Sequence, residues 1–152
     1  MVSTGLAAIA RIAVETAGPI AAHAGVKLRS QIDAGIPVVV DPGRIGQAFD
    51  NLIANALKFT SAGGTVTVTA ARRDGWVGFD VTGTAPGIAA EDIAQLFRAF
   101  YRVAAVRKAG IPGAELGLAI TAAIVEGHKG NLAVESTPGS GATFRLNLPL
   151  DE

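Results

Sequence analysis

Between Ile45 and Thr60 the chain sorts its side chains into two helical stripes. Gln47, Asn51, Asn55 and Lys58 recur at steps of four, four and three, which places them on one polar face. Ile45, Phe49, Leu52, Ala56 and Phe59 step along a second face that is apolar and expected to join a core. Asp41-Pro42 supplies an N-cap and a first-turn proline for this helix, and Thr60-Ser61-Ala62-Gly63-Gly64 ends it.

The same periodicities organise the rest of the chain. A helix is expected from about Leu6 to Ala24, followed by short strands at Val26 to Ile32 and Pro37 to Val40. Thr65 to Ala70 alternates strictly, and Trp76 to Thr82 reads as its hairpin partner across the turn Arg73-Asp74-Gly75. A short helix over Ala90 to Phe97, a glycine-containing loop over 101–113 and a long helix over Glu115 to Gly127 come next. Strands at Asn131 to Glu135 and Ala142 to Leu148 flank the turn Ser136 to Gly141. The resulting picture is an α/β two-layer sandwich, in which three helices cover one face of a mixed, mainly antiparallel sheet.

Length and composition narrow the function classes. The 152 residues fit one domain, and a hydrophobic content of 49% suffices for a substantial core. Thirteen basic and thirteen acidic residues cancel, so bulk charge points to neither a nucleic-acid nor a membrane partner. The absence of cysteine removes thiol catalysis and cysteine metal sites, and two histidines are too few for a histidine-rich metal site. The alanine-rich start superficially resembles a leader ending in AAHA, but Arg11 and Glu15 interrupt it, and an amphipathic helix is the expectation. No apolar run approaches the roughly 20 residues needed to cross a bilayer, so this domain is expected to be soluble and not membrane-inserted.

Two amides and an amine on one helix face, with no opposing charge among them, suit a ligand that brings its own negative charge. Asn oxygens are neutral hard donors suited to Mg²⁺, which takes much of its charge balance from substrate phosphates, and a lysine is a point charge for those phosphates. A solvated helix face would show the same periodicity, so other segments must decide between the two readings.

Five segments do so together. NLIANALKFT, PGI, LFRAFYR, LGLAI and VESTPGSGATFRLNLPL occur in an order and spacing that resembles the ATP-binding catalytic domain of sensor histidine kinases, over about residues 4–150. That family shares a superfamily with DNA gyrase, the Hsp90 chaperone and MutL. The resemblance implies ATP and Mg²⁺ as cofactors, a histidine-bearing dimerisation domain as phosphate acceptor, and a response regulator downstream. It implies that Asn55 coordinates Mg²⁺ and that Asn51 lies beside the phosphates. Lys58 and Arg102 would contact phosphates and Tyr101 the adenine end, while Phe97 and Phe100 would pack beneath a lid formed by 103–113. Gly83, Ala85, Gly87 and Ile88 stand at the adenine motif, and Gly113, Leu116, Gly117 and Leu118 at a second glycine motif, where helix amides face the phosphates.

The departures from the family pattern are specific. Asp-x-Gly-x-Gly-Ile is here Gly83-Thr84-Ala85-Pro86-Gly87-Ile88, so the carboxylate that accepts the adenine amino proton is missing. A hydrogen bond to a charged group contributes about 1.5–3 kcal/mol, so its loss predicts binding weaker by roughly ten- to a hundredfold. Asp80 lies on the opposite strand face from position 83, and Thr82 or Thr84 offers at most a hydroxyl. Glu115 replaces a glycine of the second motif, adding bulk and negative charge near the phosphates or serving as a helix-start charge. Neither His23 nor His128 carries the family's phosphoacceptor signature, and both read as structural or solvated. Three readings follow: a phosphotransfer module serving a histidine elsewhere, a pseudo-ATPase that works by docking, and a serine-directed kinase or other ATPase of the superfamily, against which the FYR and closing-strand segments weigh.

Overall fold

In a computed structural model, residues 1–87, 114–137 and 139–151 are described, with 114–117 described by their backbone alone. Three helices occur among them: α1 (Leu6–Ala24), α2 (Pro42–Lys58) and α3 (Ala114–Gly127). Seven strands accompany them: β1 (Val2–Gly5), β2 (Lys27–Ile32), β3 (Pro37–Val40), β4 (Thr65–Arg73), β5 (Trp76–Gly83), β6 (Asn131–Thr137) and β7 (Gly141–Pro149). The anticipated helix over Ala90 to Phe97 and the loop over 101–113 lie outside the described residues.

The main sheet has the order β2-β4-β5-β7-β6. The β2–β4 pair is parallel and every other neighbouring pair is antiparallel, which makes the sheet mixed as the sequence pattern implied. The β4–β5 hairpin turns through Asp74 and Gly75, whose φ values are 41° and 83°. Positive φ at both central positions of a two-residue loop matches the right-handed twist of the strands, which explains why Asp-Gly stands there.

Along β5 and β7, alternate residues turn toward the helices. Val77, Phe79 and Val81 from β5 and Phe144, Leu146 and Leu148 from β7 are buried in one continuous core with Ile45, Phe49, Leu52 and Ile53 of α2. Phe49 stacks on Phe79 with ring centroids 3.7 Å apart and planes 10° from parallel, fixing α2 over the middle of the sheet. Helix α1 packs against α2, and its buried stripe consists of Ala10, Ala13, Ala17 and Ala21 below Leu6. Small side chains there let the two helix backbones approach closely.

Two features differ from the sequence expectation. Residues 2–5 form a strand that the pattern did not announce, and β1 pairs antiparallel with β3 in a separate two-stranded sheet. β3 therefore does not belong to the single main sheet that was expected. A four-residue segment such as VSTG carries no period of its own, and its strand conformation comes from the neighbour it pairs with. The hairpin strand β4 also runs three residues beyond its alternating segment, to Arg73.

Candidate functional site

Helix α2 positions the polar stripe. Its N-terminus is fixed by Asp41, whose side chain accepts a hydrogen bond from the Arg44 amide at 3.2 Å. From that start the stripe grades inward: Gln47 is exposed, Asn51 half-buried, and Asn55 only 4% exposed, while Lys58 ends the helix in solvent. The sequence pattern treated these four as one solvated or ligand-facing stripe, and the fold separates them. An asparagine buried beside the core is a costlier and more specific placement than a surface one, because its amide must be satisfied there.

Asp50 sits between Phe49 and Asn51, and partial burial pushes its carboxyl above the ordinary aspartate range. No group of three or more His, Cys, Asp or Glu side chains suited to hold a metal occurs among the described residues. A neutral amide oxygen such as that of Asn55 is of the donor type that suits a cation bringing its own phosphate ligands, as Mg²⁺ does.

Beyond Lys58 the chain turns at Phe59 and Thr60 toward the end of β5. Thr60 is buried, donates its hydroxyl to the Ala56 carbonyl at 2.8 Å, and bridges to Pro86. Gly83, the last residue of β5, lies directly against it, so a Cβ built on Gly83 would overlap the Thr60 hydroxyl. The side chain nearest to position 83, where the family pattern would put a carboxylate, is therefore that of Thr60. Thr60 was not among the site residues expected from the sequence. The available signal was its position immediately after Lys58-Phe59, where the helix that carries the stripe must end.

The candidate substitutes for that carboxylate are engaged elsewhere. Asp80 points away from α2, where Arg73 lies 2.6 Å and Arg145 3.4 Å from its Oδ2. The Thr82 hydroxyl lies 3.1 Å from that of Thr143 on the same outer face, and the Thr84 hydroxyl accepts the Thr65 amide at 3.0 Å.

The other two positions of this motif behave differently from each other. Ala85 is exposed and is not among the residues with positive φ, so its methyl group strains nothing. Its carbonyl accepts the Ser61 amide at 3.3 Å. Gly87, by contrast, has φ of 75°, and a Cβ there would stand 2.7 Å from the backbone of Gly141. The glycine that survives in this chain is the one the backbone approach requires.

Helix α3 begins at Ala114, with Glu115, Leu116 and Gly117 in its first turn. Leu118 is fully buried in the core, so any part it plays at a ligand would come from its backbone. Ile88, Tyr101, Arg102 and Gly113, expected around the nucleotide, lie outside the described residues. His23 is exposed on α1, whereas His128 is buried and bonded through both ring nitrogens.

Comparison with known proteins gives a consistent result. Residues 40–152 match the family described as histidine kinase-, DNA gyrase B- and HSP90-like ATPases. The signal transduction histidine-protein kinase BaeS of Escherichia coli is 35% identical over 130 residues, covering 86% of this chain and 28% of its own length. The virulence sensor protein BvgS of Bordetella bronchiseptica is 38% identical over 155 residues, covering 98% of this chain and 12% of its own. The chain therefore spans less than a third of either relative. Among solved structures, full-length ShkA in complex with AMPPNP superposes with a TM-score of 0.78 at 32% identity, over 95% of this chain and 30% of that one.

Proposed function

The chain belongs to the histidine kinase-, DNA gyrase B- and HSP90-like ATPases, as an ATP-binding catalytic domain of the sensor histidine kinase type, and from that premise we propose that it presents Mg²⁺-ATP to a histidine on a separate helical dimerisation domain while holding the adenine weakly. The carrying observation is the α2 stripe, in which a buried Asn55 and a half-buried Asn51 lead to an exposed Lys58 at the helix end.

Phosphoryl transfer asks the protein chiefly for positioning and charge stabilisation. Asn55 would hold the metal and Asn51 would orient the phosphates beside it. Lys58, with Arg102, would offset their charge. Bound Mg²⁺ would neutralise the triphosphate and fix its geometry. The first-turn amides of α3, including those of Leu116, Gly117 and Leu118, would donate to phosphate oxygens, with Gly113 at the approach to that turn. Tyr101 and Ile88 would close the base end, around a wall made by Gly83, Ala85 and Gly87. A response regulator would receive the phosphate from the histidine, and the domain would act in the cytoplasm.

A second reading rests on the absence of a carboxylate at position 83, where the Thr60 side chain packs against Gly83. With Asp80, Thr82 and Thr84 also engaged elsewhere, the domain would work as a docking module with no productive nucleotide binding. Calorimetric titration with AMPPNP, with and without Mg²⁺, separates the two. Saturable binding strengthened by Mg²⁺ supports the phosphotransfer domain. Absence of heat up to millimolar analogue, from protein that unfolds cooperatively, supports the docking module.

A further inference from the structure

His128 joins the two helices on which the proposed phosphate site rests. It follows α3 directly, is 7% exposed, and its Nδ1 lies 2.7 Å from the Ile124 carbonyl in the last turn of that helix. Its Nε2 lies 3.0 Å from the backbone nitrogen of Asp41, the N-cap of α2. A backbone N–H can only donate, so Nε2 accepts, and the ring proton sits on Nδ1 and is donated to Ile124. One imidazole in one tautomer thus ties the end of α3 to the start of α2, across 87 residues of sequence. Nothing in the phosphotransfer chemistry proposed above uses it.

The location gives this tie a consequence. Helix α2 starts at the junction and α3 finishes there, so the far ends of the pair are the Asn51–Lys58 half of α2 and the first turn of α3. Fourteen residues separate Asp41 from Asn55, which is about 20 Å of helix, so a tilt of about 5° at the junction displaces the far end by about 2 Å. Errors of about 1 Å at a reacting centre are enough to cost about a hundredfold in rate. We propose that His128 is a positioning residue: held as the Nδ1–H tautomer between Ile124 and Asp41, it fixes the angle between α2 and α3 and thereby the register of Asn51 and Asn55 against the first turn of α3. Its bearing on phosphates rests on the functional reading above, but the coupling of the two helices does not.

The test uses the whole chain and two variants that divide the ring's contacts. In His128→Asn the shorter amide stays near Ile124 and cannot reach Asp41. In His128→Gln the longer side chain brings a carbonyl oxygen to the Asp41 amide. The side-chain amide resonances of Asn51 and Asn55 are followed by NMR, alongside Mg²⁺-AMPPNP affinity and thermal unfolding. In His128→Asn both asparagine signals are expected to shift and affinity to fall about three- to tenfold. His128→Gln is expected to restore both to near the parent values. If both variants lose thermal stability while the asparagine signals and the affinity stay as in the parent, the ring is structural only and the proposal fails. A parent protein that does not bind the analogue overturns the functional reading, and the asparagine signals still decide the coupling. Should neither variant fold, the ring nitrogen resonances of the parent decide: a protonated Nε2 in the parent overturns the assignment.

Discussion

The two ends of the candidate site are made in different ways. The phosphate end is a row of side chains on one helix, and each member is placed by a step of three or four residues. The proposed base end is a meeting of three separate stretches of chain, where Gly83 lies against the Thr60 side chain and Gly87 and Gly141 lie against backbone, each too close for an added Cβ. A change in the row removes one functional group and leaves its neighbours in place. A change at the meeting point forces the whole corner to adjust, since a side chain added at Gly83 would meet the Thr60 hydroxyl.

The sharpest break in this comparison is within the motif Gly83 to Gly87. Gly87→Ala combines a left-handed backbone with an overlap on Gly141 and is expected to destabilise the fold by about 2–5 kcal/mol. Ala85→Gly removes an exposed methyl at an ordinary φ and should alter stability by about 0.5 kcal/mol or less. Urea unfolding of the two variants measures the difference, and equal losses would refute the division between them. Next in size is Gly83→Asp combined with Ala85→Gly. If Thr60 can swing its hydroxyl from Ala56 onto the new carboxylate, affinity for the ATP analogue should rise about tenfold or more. If it cannot, thermal scanning will show a loss of stability with no gain in binding.

At the other end of the pair, Lys129 holds a left-handed φ of 61° just after His128. Lys129→Gly should stabilise the chain by about 0.5–1 kcal/mol, because a side chain in that region carries a steric cost that glycine lacks. The smallest effect is expected at Asp50, whose carboxyl is raised by desolvation. A raised folded-state pKa means that ionisation disfavours the folded form, so stability is highest below the ordinary aspartate range and falls as pH rises through the raised value. Asp50→Asn should therefore melt higher than the parent at neutral pH, and the advantage should vanish in acid.

Much of this architecture was legible because local signals agreed with the global fold. The Asp41-Pro42 start of α2, the Asp74-Gly75 hairpin and the alternation of β4 and β7 each have a short-range cause, and each stands where its pattern put it. The parts that escaped have long-range causes. β1 exists through β3. The extra length of β4 carries Arg73 to a partner, Asp80, that only the outer face of the sheet brings near. The same limit applies at the site. The amide stripe follows from helical period, while the burial of Asn55, the position of Thr60 and the tie made by His128 depend on what packs against them. His128 reads as structural or solvated in sequence, and the structure selects the first.

The central claim is that the phosphate end is intact and the base end has lost its discriminating carboxylate. Parallel calorimetric titrations with AMPPNP and its guanine counterpart, each with and without Mg²⁺, address it directly. The account predicts Mg²⁺-strengthened binding of both, with affinities within about threefold of each other, since no fixed acceptor distinguishes the bases. Adenine preferred by about thirtyfold or more would contradict it by showing that another group has taken over the role lost at Gly83.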